Sequence, residues 1–308
     1  MSDPLSRAAV AFLDLLANPR RPDDLDALAE AVRGKIVLVT GASFGIGAAS
    51  AKLLGRAGAT VLLAARTAER LEAVAADITE AGGIAYAYPA DLADPVAAEA
   101  LAGTIIAEHG HLDVLVSNAG KSIRRSVDRQ YDRFHDFERT TAINYLGPVR
   151  LVLALLPSMR ERGDGLLVNV STMGVKMPPS PRWGAYTASK SAFDVWLRSI
   201  APEIAPDGVH VSTIYMTLVH TRMSAPTAIL RKLPGMRSHQ AAWLVARAVQ
   251  YRERSIGPWW LLPAELSGVL LGGPLNWGLS KLYALSGDGS STGGHTPRAL
   301  HDGAGSRP

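Results

Sequence analysis

The chain has 308 residues, 47% of them hydrophobic, and a formal net charge of +4. This balance suits a globular core and excludes a disordered polymer, and the absence of a Lys/Arg run argues against nucleic acid as a partner. There is no cysteine, which excludes a disulfide framework, a thiolate zinc site and a cysteine nucleophile, and fits a cytoplasmic protein.

In chain order, two helical patterns come first, "LSRAAVAFLDLLA" and "DDLDALAEAV", the second with Asp23 and Asp24 in its first turn. Asp3 and Asp14 interrupt the leading apolar stretch, and Arg20-Arg21 runs into "PDDLD", so no signal peptide is expected. From Lys35 onward, short apolar strands alternate with amphipathic helices. The strands are "KIVLVT", "TVLLAA", "AYAYPA", "LDVLVSN", "GLLVNVS" and "VHVSTIYM". Near-continuous aliphatic runs separated by helices predict an α/β fold, a Rossmann-like doubly wound parallel sheet with helices on both faces. It is expected over residues 34–255, after a helical extension at 1–33.

"VTGASFGIGAAS" lies between the first strand and a helix. Gly41 permits a tight turn, Gly45 and Gly47 let backbone approach a pyrophosphate, and the helix N-terminus offers free N–H groups, which predicts a dinucleotide site. At the end of the second strand, "LLAART" places Arg66 where an NAD enzyme has an acid. A guanidinium can hold a 2′-phosphate with paired hydrogen bonds, so NADP is expected, with Ser43 as an added neutral donor.

"TGASFGIG", Asp91-Leu92, "NAG" at 118–120, Asn144 and "YTASK" together resemble the short-chain dehydrogenases/reductases. The resemblance implies that Asp91 bonds the adenine, and that Asn118, Ala119 and Gly120 line the cofactor and brace the sheet. It also implies cofactor contacts from Phe44, Ile46, Leu92, Val219 and Thr221, and a dimer or tetramer. Tyr186 and Lys190, four residues apart on a helix, share a face. A phenol titrating near ~10 is a poor acid–base group at neutral pH; Lys190 and an oxidised nicotinamide would lower it, so that Tyr186 exchanges a proton with the substrate oxygen. By resemblance, Asn144 positions a water in the proton relay. The substrate-binding hydroxyl falls on Thr172, with Ser171 as the alternative. Met216-Thr217 stands where the family commonly has Pro-Gly, which implies a different turn ahead of Thr221.

"AGKSIRRSVDRQYDRFHDFERT", "YLGPVRLVLALLPSM" and "IYMTLVHTRMSAPT" are similar to the bacterial long-chain fatty acyl-CoA reductases of this superfamily. Without cysteine, thioester reduction must proceed by direct hydride transfer rather than through a cysteine-bound acyl group. Hydrophobic ketones or aldehydes, such as steroids or polyketides, and a non-catalytic dinucleotide-binding regulator are the alternatives. Lys121, Arg124 and Arg125 either meet CoA phosphates or pair with Asp128 and Asp132 on a solvated helix. Trp183, Met177 and the segment 256–286 either line an acyl groove or simply pack. That segment reads as a packed extension, or else as a lid or peripheral membrane contact. His109 and His111 fall in a loop without a carboxylate cluster, so no metal is expected. Residues 287–308 read as a disordered tail.

Overall fold

The computed structural model describes residues 18–178, 180–227, 230–231 and 233–285. The first helical pattern and the tail at 287–308 lie outside the described residues. Helix α1 (Leu25–Val32) is capped by Asp24, whose carboxylate accepts from the N–H groups of Asp26 and Ala27. Asp24 is therefore the N-cap, one position ahead of the expected first turn. Leu28 and Val32 are fully buried, so this helix belongs to the core of the domain.

Strands β1 (Ile36–Thr40), β2 (Thr60–Ala65), β3 (Ile84–Pro89), β4 (Val114–Ser117), β5 (Gly165–Thr172) and β6 (Val209–Met216) follow the predicted runs. Two-residue strands β7 (Val219–His220) and β8 (Met236–Arg237) pair with each other in parallel. Strand β9 (Ser255–Ile256) completes a seven-stranded parallel sheet of order β3-β2-β1-β4-β5-β6-β9. Ile256 pairs with Ile214 and is buried, so a boundary at 255 cuts through the last strand. Two residues are too short to show a periodicity, which is why the sequence does not announce it.

Alternation along each strand splits the core in two. Val37 and Val39 face α1 together with α2 (Gly45–Arg56), α3 (Ala68–Glu80) and α8 (Ser238–Tyr251), whereas Leu38 faces α4 (Pro95–His109), α6 (Gly147–Arg162) and α7 (Gly184–Ile204). A side chain of this size contributes about 2 kcal/mol when fully buried. A short helix, α5 (His135–Thr141), precedes α6, and α9 (Leu261–Leu270) and α10 (Gly272–Leu285) follow β9. The chain reverses its winding between β1 and β4, which opens a crevice at the carboxyl ends of the strands. His109 ends α4 rather than lying in a loop, and its Nε2 is 2.6 Å from the Tyr88 hydroxyl.

Candidate active site

The crevice begins at the turn from β1 to α2. Gly41 and Gly45 adopt φ of 66° and 58°, left-handed values that favour glycine. A Cβ on Gly47 would fall 2.3 Å from the Gly41 carbonyl oxygen, so nothing larger fits. No side chain caps α2, and its first N–H groups are available to a ligand. Ser43 is half-buried in the turn and Ile46 lines the adjoining cavity. Phe44 is flanked by the guanidinium groups of Arg70 and Arg222, at 4.9 and 4.7 Å from its ring centroid. Arg66 lies 3.9 Å from Asp91, and the Asp91 carboxylate accepts from the N–H of Ala93. Leu92 is buried, its carbonyl so close to Gly147 that a Cβ there would sit 1.8 Å away.

Strand β4 delivers Asn118, Ala119 and Gly120 to the same crevice. The Asn118 amide donates to the carbonyls of Thr40 and Gly41, and the N–H groups of Asn118 and Ala119 donate to the Thr40 hydroxyl. The segment thus ties β4 to β1. At Gly120 a Cβ would lie 3.0 Å from Asn144 Oδ1 and 3.4 Å from Lys190 Nζ, so its bareness lets both side chains approach.

Asn144 sits in a turn of π-helix, Ala142–Leu146, between α5 and α6. Such turns are rare and cluster at functional sites, and no sequence period signals this one. Fully buried, Asn144 accepts from the Lys121 N–H at 2.8 Å and donates to the Lys121 carbonyl and the Ser189 hydroxyl, each at 2.9 Å. Ser189 in turn donates to the Tyr186 carbonyl. The bridging role of Ser189, and the backbone clamp on Lys121, escape a reading of spacing alone; the serine's place inside "YTASK" is its one signal.

Tyr186 and Lys190 lie in the first turns of α7. Lys190 is buried and donates to the Val170 carbonyl at 3.0 Å; burial pushes its ammonium down to about 8. Burial pushes the Tyr186 phenol up to about 12, opposed by a smaller lowering from its hydrogen bond with Thr172. The lowering expected from Lys190 is tied to the positive charge of an oxidised nicotinamide; in the cofactor-free chain desolvation is the larger effect. Of the two candidate hydroxyls, Thr172 meets Tyr186, and it also accepts from the Gly174 N–H. The Ser171 hydroxyl is buried and has no hydrogen-bond partner. Both residues line the same cavity, so what distinguishes them is their hydrogen-bond partners.

Other expected residues lie differently. Arg125 pairs with Asp136 at 2.8 Å, not with Asp128 or Asp132, and its segment is loop with one short turn rather than helix. Lys121 lines the cavity, its ammonium pushed down by burial and then by Arg139 and Arg66. Thr217, in place of the family's glycine, donates to the Asn18 side chain, so the segment before α1 reaches the site. Val219 is buried in β7, and the Thr221 methyl lies 3.3 Å from where a Gly45 Cβ would stand. Over Tyr186 opens a cavity of about 300 Å³, walled by Met173, Met177, Trp183, Met216, Leu218, Met223 and Leu230. Thr172, Tyr186 and Lys190 line it together with Ser171, Asn118, Lys121 and other polar residues, while most of its surface is apolar.

Comparison with known proteins agrees with this geometry. The family model described as short chain dehydrogenase matches residues 35–229. An uncharacterised oxidoreductase of Mycobacterium tuberculosis is 47% identical over 230 residues, 74% of this chain and 67% of its own length. A fatty acyl-CoA reductase of Acinetobacter baylyi is also 47% identical, over 227 residues, 74% of this chain and 77% of its own. Among solved structures, a metagenomic short-chain oxidoreductase in complex with NADP aligns with a TM-score of 0.63 and 32% identity, over 71% of this chain and 92% of that one.

Proposed function

The chain belongs to the short-chain dehydrogenase family, and we propose that this oxidoreductase reduces long-chain fatty acyl-CoA to the fatty aldehyde. NADP(H) is its cofactor, and the residues present fit that group: Gly47 leaves no room for a side chain at the turn, and Arg66 stands at the end of β2 where an acid would repel a 2′-phosphate. When bound, NADPH supplies the hydride that the carbonyl carbon accepts.

The observation that carries the reading is that Thr172, Tyr186 and buried Lys190 line one largely apolar cavity beside the glycine turn. A phenol held near 12 is protonated at neutral pH, the form that reduction requires. Thr172 and Tyr186 both face the substrate oxygen, and Tyr186 donates its proton to it as the carbonyl π bond breaks. Lys190, fixed by the Val170 carbonyl, places positive charge under the phenol once the proton has left. Asn144 and Ser189 hold the start of α7 in position. The resulting hemithioacetal loses its C–S bond, releasing the aldehyde and CoA as the thiol.

Support for the thioester comes from the named relative in Acinetobacter baylyi, from a methionine-rich wall that accommodates methylene chains, and from a cysteine-free chain that must transfer hydride directly. The test follows NADPH oxidation with a long-chain acyl-CoA while aldehyde is trapped and free thiol titrated. One aldehyde and one thiol per NADPH, abolished in Tyr186→Phe, is the expected result. Oxidation with ketones or aldehydes alone would discard the thioester and keep the site.

A further inference from the structure

The C-terminal hairpin of α9 and α10 packs one face on its own domain and leaves the other bare. In α9, Leu261 alone is buried. Trp259, Val269, Leu270 and Trp277 are 69%, 79%, 78% and 69% exposed, with Leu262, Leu266 and Leu271 exposed beside them. Leu262, Leu266, Val269 and Leu270 fall within an arc of roughly 100° on α9, the width of an amphipathic helix's apolar stripe, and Trp259 stands in the turn just before it. Monomeric soluble proteins rarely leave so many large side chains together in water.

We propose that this hairpin docks the protein on the surface of a lipid bilayer. Residues 257–285 carry two charges, Glu265 and Lys281. Glu265 is paired with Lys176 at 3.1 Å, while Lys281 lies over the Trp277 ring at 5.9 Å. That leaves an apolar face with no unpaired acid, tryptophans at either end and one cation, a composition suited to the headgroup boundary. The hydroxyls of Ser267 and Ser280 are bonded back to the carbonyls of Ala264 and Asn276. A protein partner expects polar groups to pair with at the rim; this face offers few, which favours lipid over a second copy.

The helices lie on a bilayer rather than cross it. Ten and fourteen residues extend about 15 and 21 Å, short of the ~30 Å hydrocarbon core. The run His135–Arg162 is long and apolar enough to span, but Leu151, Val152, Leu155 and Met159 are buried in the domain.

Docking would bring lipid to the mouth of the active site. Lys176 and Pro178, in the loop leading to Tyr186, touch α9 through Glu265 and at Gly268, and Arg182 lies 4.8 Å over the α10 residue Tyr283. Met177 and Trp183 of the same loop wall the cavity. A long acyl chain could then pass between bilayer and cavity without crossing water. Binding itself does not rest on the substrate reading.

The test floats the full-length protein with phosphatidylcholine vesicles, with and without phosphatidylglycerol, beside the double variant Val269→Glu/Leu270→Glu. Removing residues from 256 onward would also delete β9, so substitutions at exposed sites are the cleaner probe. Wild-type protein should float, more strongly with the anionic lipid, and the variant should partition at least about tenfold less. Unchanged NADPH binding by the variant shows that the domain remains folded. Failure of wild type to float, or equal flotation of the variant, overturns the proposal. So does a wild-type dimer that ignores vesicles and dissociates in the variant, since the face would then belong to a second copy.

Discussion

Replacing Lys190 with methionine should abolish turnover yet stabilise the cofactor-free protein at neutral pH. The buried ammonium titrates at about 8 instead of 10.5. At about 1.4 kcal/mol per pH unit, holding it charged costs about 3 kcal/mol. Methionine removes that cost but leaves the Val170 carbonyl without its donor, a loss of about 1 kcal/mol. The net expectation at pH 7 is a gain of about 2 kcal/mol, from about 3 less about 1. Between pH 8 and 10.5 the unfolded chain holds a proton that the native state lacks, so the wild-type contribution rises with pH. Above that window the lysine is neutral in both states and wild type should be the more stable by about 1 kcal/mol. Urea unfolding of both proteins at the two ends of the window measures the crossing, and NADPH oxidation measures the lost activity. A variant less stable at pH 7, or a difference that does not change with pH, refutes the assignment of desolvation as the dominant effect.

Thr172→Val should lower kcat about 100-fold with little change in KM, because the hydroxyl beside Tyr186 acts on the developing oxygen. Ser171→Ala should leave kcat intact and be neutral or stabilising by up to about 1 kcal/mol, since it removes an unpaired buried hydroxyl. The opposite pattern of kcat values would move the substrate-binding role to Ser171. For Arg66→Ala, KM for NADPH should rise about 10- to 100-fold while that for NADH changes little. Equal effects on the two cofactors would mean that Arg66 serves only its neighbour Asp91.

The six long strands and the glycine turn are legible in the sequence because each is a local pattern, an aliphatic run or a residue type required by backbone geometry. Tyr186 and Lys190 are legible for the same reason, sharing one helix face. What escapes a linear reading depends on contacts made across the chain. The bond from Thr217 to Asn18 joins segments far apart in sequence, and the π-helical turn at Asn144 is buttressed by Lys121 and Ser189 in addition to its own backbone bonds. The different partners of Thr172 and Ser171 are likewise invisible in the sequence: Thr172 accepts from the Gly174 N–H while the Ser171 hydroxyl is buried without a partner. Arg125 shows the reverse error: near acids at 128 and 132 suggested local pairs, but its carboxylate partner is Asp136.

The pairing of β7 with β8 has an evolutionary consequence. Val219 bonds alongside Met236 and His220 alongside Arg237, so the chain leaves and returns at one clasp. Between those points run residues that wall the cavity, Thr221, Met223, Ser224 and Leu230 among them. A loop whose ends are already held together loses little additional entropy when it is lengthened or exchanged, since closure cost grows only slowly with length. Substrate choice can therefore drift by rewriting this insert while the proton-transfer residues on β5 and α7 stay untouched. The clasp makes the wall of the site a replaceable cassette on a fixed frame.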